Sequence, residues 1–93
     1  MAGENKIESY LVNEVRKRRG FIYKLTFINT RGAPDRMVWI PTWSIGCFVE
    51  LKDEGKDLEE HQRRRHAELK KMGFRTAMVN SKMAVDRLLR RKF

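Results

Sequence analysis

The sequence has 93 residues, the size of one small domain, and 41% of them are hydrophobic. With 6 Gly and 2 Pro it is neither a low-complexity nor a disordered tract, so a compact core is expected. The formal net charge is +9, from 21 Lys and Arg against 12 Asp and Glu, which favours a polyanionic partner, nucleic acid before an anionic membrane surface. No apolar run approaches the roughly 18 residues of a membrane span, and residues 1–10 lack the apolar segment of a signal peptide. We therefore expect a soluble, intracellular protein in which residues 1–93 form one domain.

The first half of the chain predicts one helix followed by three strands. Ile7, Leu11 and Val15 recur at helical spacing within Asn5–Arg19, and Gly20 follows as a stop signal. Phe21–Asn29 is aromatic and β-branched, which predicts a strand whose core face carries Phe21, Tyr23 and Phe27. A turn over Thr30–Pro34 precedes two further strands, Met37–Ile40 and Ile45–Leu51.

The second half of the chain predicts a helix, a strand and a last helix. Asp57 followed by Glu60 has the spacing of a capping box, which favours a helix that runs to Met72 and stops at Gly73. Phe74–Asn80 alternates as a fourth strand, and Ser81 is a candidate cap for the helix that follows. The predicted order is α-β-β-β-α-β-α, an α/β fold with a mixed sheet of about four strands flanked by helices.

Three charged residues stand at strand positions where a purely structural domain has little use for them. Glu50 and Lys52 are two residues apart and share a strand face with Phe48, and Asp35 begins the preceding strand behind Pro34. If the two strands are neighbours, the two carboxylates converge and repel, which either raises the pKa of one of them or recruits a divalent cation that both bind. The Lys52 ammonium can then support the charge that develops on a phosphodiester. The alternative is that the strand frays into solvent and both charges are simply hydrated.

The second predicted helix interrupts its apolar stripe with Gln62 and Arg65. Either this part of the stripe lies beyond the sheet edge, or Gln62 faces a polar cleft, where its amide binds a metal-bound water or Lys52. Five cations are candidate phosphate contacts, although charge runs are usually solvated helix faces. They are Lys24, Arg36, Arg63, Arg64 and Arg65.

Several other chemistries are disfavoured by the sequence. His61 and His66 are five residues apart, unlike the i, i+4 spacing with which two helical histidines share zinc. Cys47 is the single cysteine and lies in an apolar run, which predicts a buried thiol rather than a nucleophile. No nucleophile elbow, P-loop or dinucleotide glycine fingerprint is present.

The chain resembles the VRR-Nuc domain, the virus-type replication-repair branch of the PD-(D/E)xK nucleases, and specifically its small stand-alone phage and bacterial members. The resemblance rests on Gly32-Ala33-Pro34-Asp35-Arg36, then on Phe48-Val49-Glu50-Leu51-Lys52, then on Gln62 in a helix. It implies a restriction-endonuclease-like core, dependence on Mg²⁺ or Mn²⁺, and hydrolysis of phosphodiester bonds in DNA. The usual glycine-rich turn before the Glu-x-Lys strand is replaced by Pro41–Gly46.

The resemblance also implies roles for individual residues. Asp35 and Glu50 would be the metal ligands together with the Leu51 carbonyl, Lys52 the catalytic lysine, and Gln62 the helix residue beside the site. Glu8 would be the first-helix acid that reaches the metal through water, with Glu14 as its competitor. Lys24 would be the lysine of the first strand.

These expectations lead to a homodimeric, structure-selective DNA endonuclease that acts on a four-way (Holliday) junction in the cytoplasm of a bacterial or phage-infected cell. Two sites related by a twofold axis match the symmetry of such a junction. Trp39 and Trp43, on either side of Pro41, are the candidate interface residues. The alternative function is a non-catalytic nucleic-acid-binding module with the same fold, and a third is a basic structural protein of a ribonucleoprotein.

Overall fold

The computed structural model describes residues 3–93, and the side chains of residues 6–93. Its elements confirm the predicted order. They are α1 (Gly3–Lys17), β1 (Phe21–Lys24), β2 (Arg36–Trp39), β3 (Cys47–Leu51), α2 (Glu60–Lys71), β4 (Arg75–Val79) and α3 (Lys82–Leu89). No helix within residues 3–93 is long and apolar enough to cross a membrane.

The four strands form one mixed sheet in the order β1-β2-β3-β4. The β1–β2 and β2–β3 pairs are antiparallel, whereas β3 and β4 are parallel. A parallel pair needs a crossover connection, and α2 provides it between β3 and β4. The carboxyl ends of β3 and β4 therefore lie side by side, together with the amino end of β2.

The hydrophobic core lies between one face of the sheet and helices α1 and α3. The predicted helical row Ile7, Leu11 and Val15 is fully buried, as predicted, and it packs with Val38 and Val49 of the central strands. Helix α2 packs against β4 from the other side. The two faces of the sheet thus differ, because one is covered by two helices and the other only in part.

Strand β1 turns its aromatic side chains the other way from the prediction. It spans four residues, and Phe21 and Tyr23 are 45% and 59% exposed, while Ile22 packs against the core. Both alternating sets of this strand are apolar, so local pattern could not decide which set α1 would cover. Phe21 and Tyr23 are therefore surface residues.

Trp43 is a core residue, and its selection as an interface residue was wrong. Its side chain is 3% exposed, the indole Nε1 donates a hydrogen bond of 2.8 Å to the Arg91 carbonyl, and its ring lies 4.7 Å from that of Phe93. Trp39 is partly exposed, with its ring 5.4 Å from that of Phe21. The sequence around Pro41 thus serves mainly to close the core over the C-terminal residues.

The helix boundaries differ from the predictions in two instructive places. At the end of α1 the residue in the left-handed conformation is Arg19, with φ 62°, rather than the predicted stop residue Gly20. A glycine is required at position 20 for a different reason, because a Cβ there would lie 2.1 Å from the Trp39 carbonyl oxygen. Helix α2 begins at Glu60 with Glu59 as its N-cap, two residues beyond the predicted Asp57. The predicted cap at Ser81 is confirmed, since its Oγ accepts a hydrogen bond from the Ala84 N–H at 3.0 Å.

Candidate active site

The register of β2 and β3 brings Asp35 and Glu50 together. Arg36 pairs with Val49, so the next residue outward on each strand places Asp35 opposite Glu50. Asp35 keeps the extended pairing, because its carbonyl accepts a hydrogen bond of 2.9 Å from Leu25. Directly opposed residues of an antiparallel pair share a face, with Cβ atoms about 5 Å apart. The two predicted acids therefore converge on one face of the sheet.

One step further along the same register, Pro34 lies opposite Leu51. The Lys52 N–H donates a hydrogen bond to the Val79 carbonyl of β4. The backbone groups of successive strand residues point to opposite sides, so the N–H and C=O groups of Leu51 point toward β2. Proline has no N–H, and Pro34 cannot give the Leu51 carbonyl its ladder hydrogen bond. The proline that precedes Asp35 thus leaves a carbonyl oxygen available beside the two carboxylates.

The Asp35 carboxylate is held by one oxygen, and the other has no partner among the described side chains. Its Oδ2 forms an ion pair of 3.1 Å with the Arg36 guanidinium. Its Oδ1 is buried and has no hydrogen-bond partner among residues 6–93. A buried carboxylate oxygen without a partner is costly to desolvate, which makes it a natural ligand for a cation.

Arg36 is buried and engaged with two acids, which removes it from the candidate DNA contacts. It is 6% exposed, and its guanidinium bonds Glu8 Oε2 of α1, with Nε at 3.1 Å, as well as Asp35. Glu8 thus reaches Asp35 through Arg36. Its competitor Glu14 pairs with Lys17 and Arg18 of its own helix, which lowers the pKa of its carboxyl.

Gln62 connects the start of α2 to Glu50. Its Oε1 accepts a hydrogen bond of 2.8 Å from the Glu59 N–H. Its Nε2 donates a hydrogen bond of 3.4 Å to Glu50 Oε2. Glu50 itself is 8% exposed. The Gln62 amide thus caps α2 with its oxygen and contacts the Glu50 carboxylate with its nitrogen.

Lys52 follows β3 and is half-buried next to the start of α2. The pKa of Asp57 is lowered mainly by the hydrogen bond from the Leu58 N–H and by Arg63, and the positive charge of Lys52 lowers it further. Lys24 is exposed and pairs with Arg36 in the sheet register, so it points to the face opposite that of Asp35 and Glu50. Lys52 thus follows the strand that carries Glu50, and Lys24 lies on the other face of the sheet.

The arginine run at the start of α2 makes local contacts. Arg63 pairs with Asp57 at 2.9 Å and Arg64 with Glu60 at 3.6 Å. Arg65 pairs with Glu68 at 2.9 Å and also donates to the Arg31 carbonyl at 3.0 Å. Because each of these cations already has an acidic neighbour, they are weaker candidates for phosphate contacts than their sequence suggested.

Helix α2 also fixes the turn that delivers Asp35. Gly32 adopts φ 84°, and a Cβ there would lie 2.9 Å from the His61 carbonyl oxygen. The hydrogen bond from Arg65 to the Arg31 carbonyl ties the same loop to α2, one helical turn beyond His61. The glycine is therefore required both for its left-handed conformation and for its close approach to α2.

The donor set around Asp35 fits a hard divalent cation. Among the described side chains no three of His, Cys, Asp and Glu lie close enough to hold a metal ion together. Mg²⁺ keeps several waters and is commonly held by one or two carboxylates, so Asp35, Glu50 and the Leu51 carbonyl are sufficient ligands in number and kind. The unpartnered Asp35 Oδ1 is the structural observation that favours such a ligand.

Two buried polar side chains were not identified from the sequence. His66 is 5% exposed, its Nε2 has no hydrogen-bond partner in the described part of the chain, and burial lowers its pKa. Thr76 of β4 is 7% exposed and its hydroxyl is likewise unpartnered among these residues. The predicted buried thiol is confirmed, since Cys47 is fully buried, and this burial raises the pKa of its thiol to about 12.

Comparison with known proteins agrees with the geometry. No protein-family model matches the chain. Protein p44 of Acyrthosiphon pisum secondary endosymbiont phage 1, which is named as a candidate nuclease, is 41% identical over 78 residues, 84% of this chain and 83% of p44. A solved VRR_NUC domain covers the whole of both chains with a TM-score of 0.85 and 30% identity. A second VRR_NUC domain protein has a TM-score of 0.77 at 17% identity, over 99% of this chain and 88% of its own, and supports the fold alone.

The comparisons and the fold lead to the same assignment. The p44 match exceeds four-fifths of both sequences, and the VRR_NUC structure superposes on this chain over the full length of both. This chain belongs to the VRR-Nuc family and is a nuclease of that type.

Proposed function

We propose that the chain is a divalent-metal-dependent DNA endonuclease whose metal is held by Asp35, Glu50 and the Leu51 carbonyl. The observation that carries this proposal is the β2–β3 register, which sets the two acids opposite each other while Asp35 Oδ1 is buried without a partner in residues 6–93. Mg²⁺ and Mn²⁺ both suit oxygen ligands of this kind. Residues 1–93 would carry this activity as a single nuclease domain.

The metal would supply Lewis acidity and a water nucleophile of lowered pKa at this site. Lys52 would place its ammonium beside the scissile phosphate, where negative charge increases in the transition state. Gln62 would orient Glu50 through its Nε2, and Arg36 would orient Asp35 through Oδ2. These two are positioning residues, because each acts through a carboxylate.

We further propose that the substrate is branched DNA, with a four-way junction preferred, and that the active species is a homodimer. Phe21 and Tyr23 of the edge strand β1 support a dimer, because they are exposed and form an aromatic patch with Trp39 of β2. Large apolar side chains on an open sheet edge are typical of interaction surfaces. An interface there would also let a chain of this size bury more apolar surface.

A substrate panel tests these proposals. The purified protein is incubated with linear duplex, flap, fork and four-way junction DNA, with Mg²⁺ or Mn²⁺ and with excess chelator. We expect cleavage only with the metal, and paired symmetric cuts in the junction. Equal cleavage of linear and branched DNA would overturn junction selectivity, and binding without any cleavage would favour the non-catalytic module.

A further inference from the structure

The positive charge of the chain is concentrated at its C-terminal end. Residues 69–93 contain eight Lys and Arg against the single acid Asp86, although the whole chain has a net charge of +9. Asp86 accepts a hydrogen bond of 2.7 Å from the Tyr10 hydroxyl. Most of the excess charge is therefore remote in sequence from Asp35 and Glu50.

A groove of about 340 Å³ lies at the free edge of β4, between the end of α2 and α3. Three cations line it: Lys70 comes from α2, Arg87 from α3, and Arg91 follows α3. Within residues 6–93, none of the three forms an ion pair with an acid, in contrast to the paired arginines at the start of α2. The groove is thus a site of unneutralised positive charge.

The floor of the groove offers neutral hydrogen-bond donors as well. The Val79 carbonyl accepts a hydrogen bond from the Lys52 N–H, so the backbone groups of Val79 point toward β3. Because successive residues of a strand alternate in direction, the N–H groups of Thr76 and Met78 point to the free edge of β4. The Thr76 side chain also lines the groove, and its buried hydroxyl has no hydrogen-bond partner among residues 6–93. Cations that surround polar donors make a site for an oxyanion.

We infer that this β4 groove binds a phosphate of the DNA backbone outside the cleavage site. The inference rests on the proposed action on DNA. Thr76 pairs with Phe48, two residues before Glu50 on the same strand, which is about 7 Å along β3. A backbone that crosses the acids can therefore continue past the sheet edge to the groove, which would anchor the DNA by charge and without reading its sequence.

A matched pair of double variants tests the β4 groove. Lys70→Gln/Arg87→Gln removes two groove cations, and Lys71→Gln/Arg90→Gln removes two cations from the same ends of α2 and α3 outside the groove lining. Binding of a labelled duplex is measured by fluorescence anisotropy across a salt series in chelator. We expect the groove variant to lose about tenfold in affinity and to flatten the slope of log K against log salt by about 1–2, with a smaller change in the control variant. Equal losses in both variants, or none in either, would overturn the inference.

Thr76→Val gives a second readout with the charge unchanged. Removal of a buried unpartnered hydroxyl should leave the melting temperature equal or higher, while a role in phosphate binding predicts weaker DNA binding. Wild-type affinity in this variant would exclude Thr76 from the site.

Cleavage by the wild-type protein with Mg²⁺ or Mn²⁺ separates this inference from the proposed function. Groove-dependent binding without cleavage would contradict the nuclease proposal alone. Cleavage together with unaffected binding in the groove variant would contradict the groove alone.

Discussion

The ion-pair chain from Glu8 through Arg36 to Asp35 predicts that Glu8 acts on stability and positioning. Glu8→Ala removes the hydrogen bonds between Oε2 and the Arg36 guanidinium, and the Arg36 side chain is only 7% exposed, so water cannot replace the lost partner fully. Arg36 keeps its ion pair with Asp35, which limits the damage to one side of the guanidinium. We expect the free energy of unfolding to fall by about 2–3 kcal/mol.

For a domain of this size that loss corresponds to a drop of about 10–20 °C in melting temperature. The assay is thermal unfolding followed by circular dichroism, with DNA cleavage measured at a temperature where the variant is folded. Glu14→Ala is the matched control in the same helix, and its partners Lys17 and Arg18 are on the surface, where solvent screens the pair. The control should unfold close to the wild-type temperature.

Two results would refute this reasoning about Glu8. Loss of stability in Glu14→Ala as large as in Glu8→Ala would show that burial of Arg36 has no particular effect. Complete loss of cleavage by a folded Glu8→Ala protein, with unchanged stability, would make Glu8 a direct participant at the metal instead.

Three further predictions follow from burial and exposure. Burial lowers the pKa of His66 in the folded state, so the His66 contribution to stability should be constant above the ordinary pKa of 6.5 and fall as the pH drops below it, because the unfolded chain then takes up a proton. Urea titrations should show a flatter dependence of the unfolding free energy on pH for His66→Leu than for the wild type. The same pH dependence in both proteins would contradict this. The Cys47 thiol, with a pKa raised to about 12, should react with Ellman's reagent only in denaturant, and rapid reaction of the native protein would disprove its burial. Tyr23→Glu should give a monomer by light scattering without loss of fold, because the side chain is 59% exposed, whereas Trp43→Ala should unfold the protein; a dimeric Tyr23→Glu would move the interface elsewhere.

Local pattern predicted the features of the fold that depend on neighbours in sequence. The apolar row Ile7, Leu11 and Val15 could be assigned to a buried helix face because its spacing alone requires a single stripe. The cap at Ser81 and the stop at Gly73, with φ 94°, were predictable for the same reason.

Features that depend on partners far apart in sequence could not be predicted in this way. Arg36 has the positive charge expected of a DNA contact, and only its pairing with Glu8, 28 residues earlier, shows that its side chain is buried. The exposed face of β1 depends on which side α1 covers. The cations of the β4 groove differ from the arginines at the start of α2 in having no ion pair within residues 6–93, a contrast that only the folded contacts reveal.

At the candidate site, the sequence supplied the residues and the structure supplied their arrangement. Asp35, Glu50 and Lys52 could be selected because charges at strand positions are unusual. Their convergence required the β2–β3 register, which no local pattern sets. The effect of Pro34 depends on the same register, because a proline leaves an opposed carbonyl without a donor only where its N–H would point to that strand.

Cleavage of DNA by Asp35→Asn and Glu50→Gln tests the central claim most directly. Asp57→Asn is the control, because this exposed acid pairs with Arg63 outside the proposed metal site. Each variant is first checked for folding by its melting temperature and then assayed with Mg²⁺, with Mn²⁺ and with chelator. The account predicts that the wild type and the control cut DNA only with a divalent metal, and that both site variants lose at least about a hundredfold in rate while they still bind DNA. Cleavage by the wild type in excess chelator, or wild-type rates in both folded site variants, would contradict it.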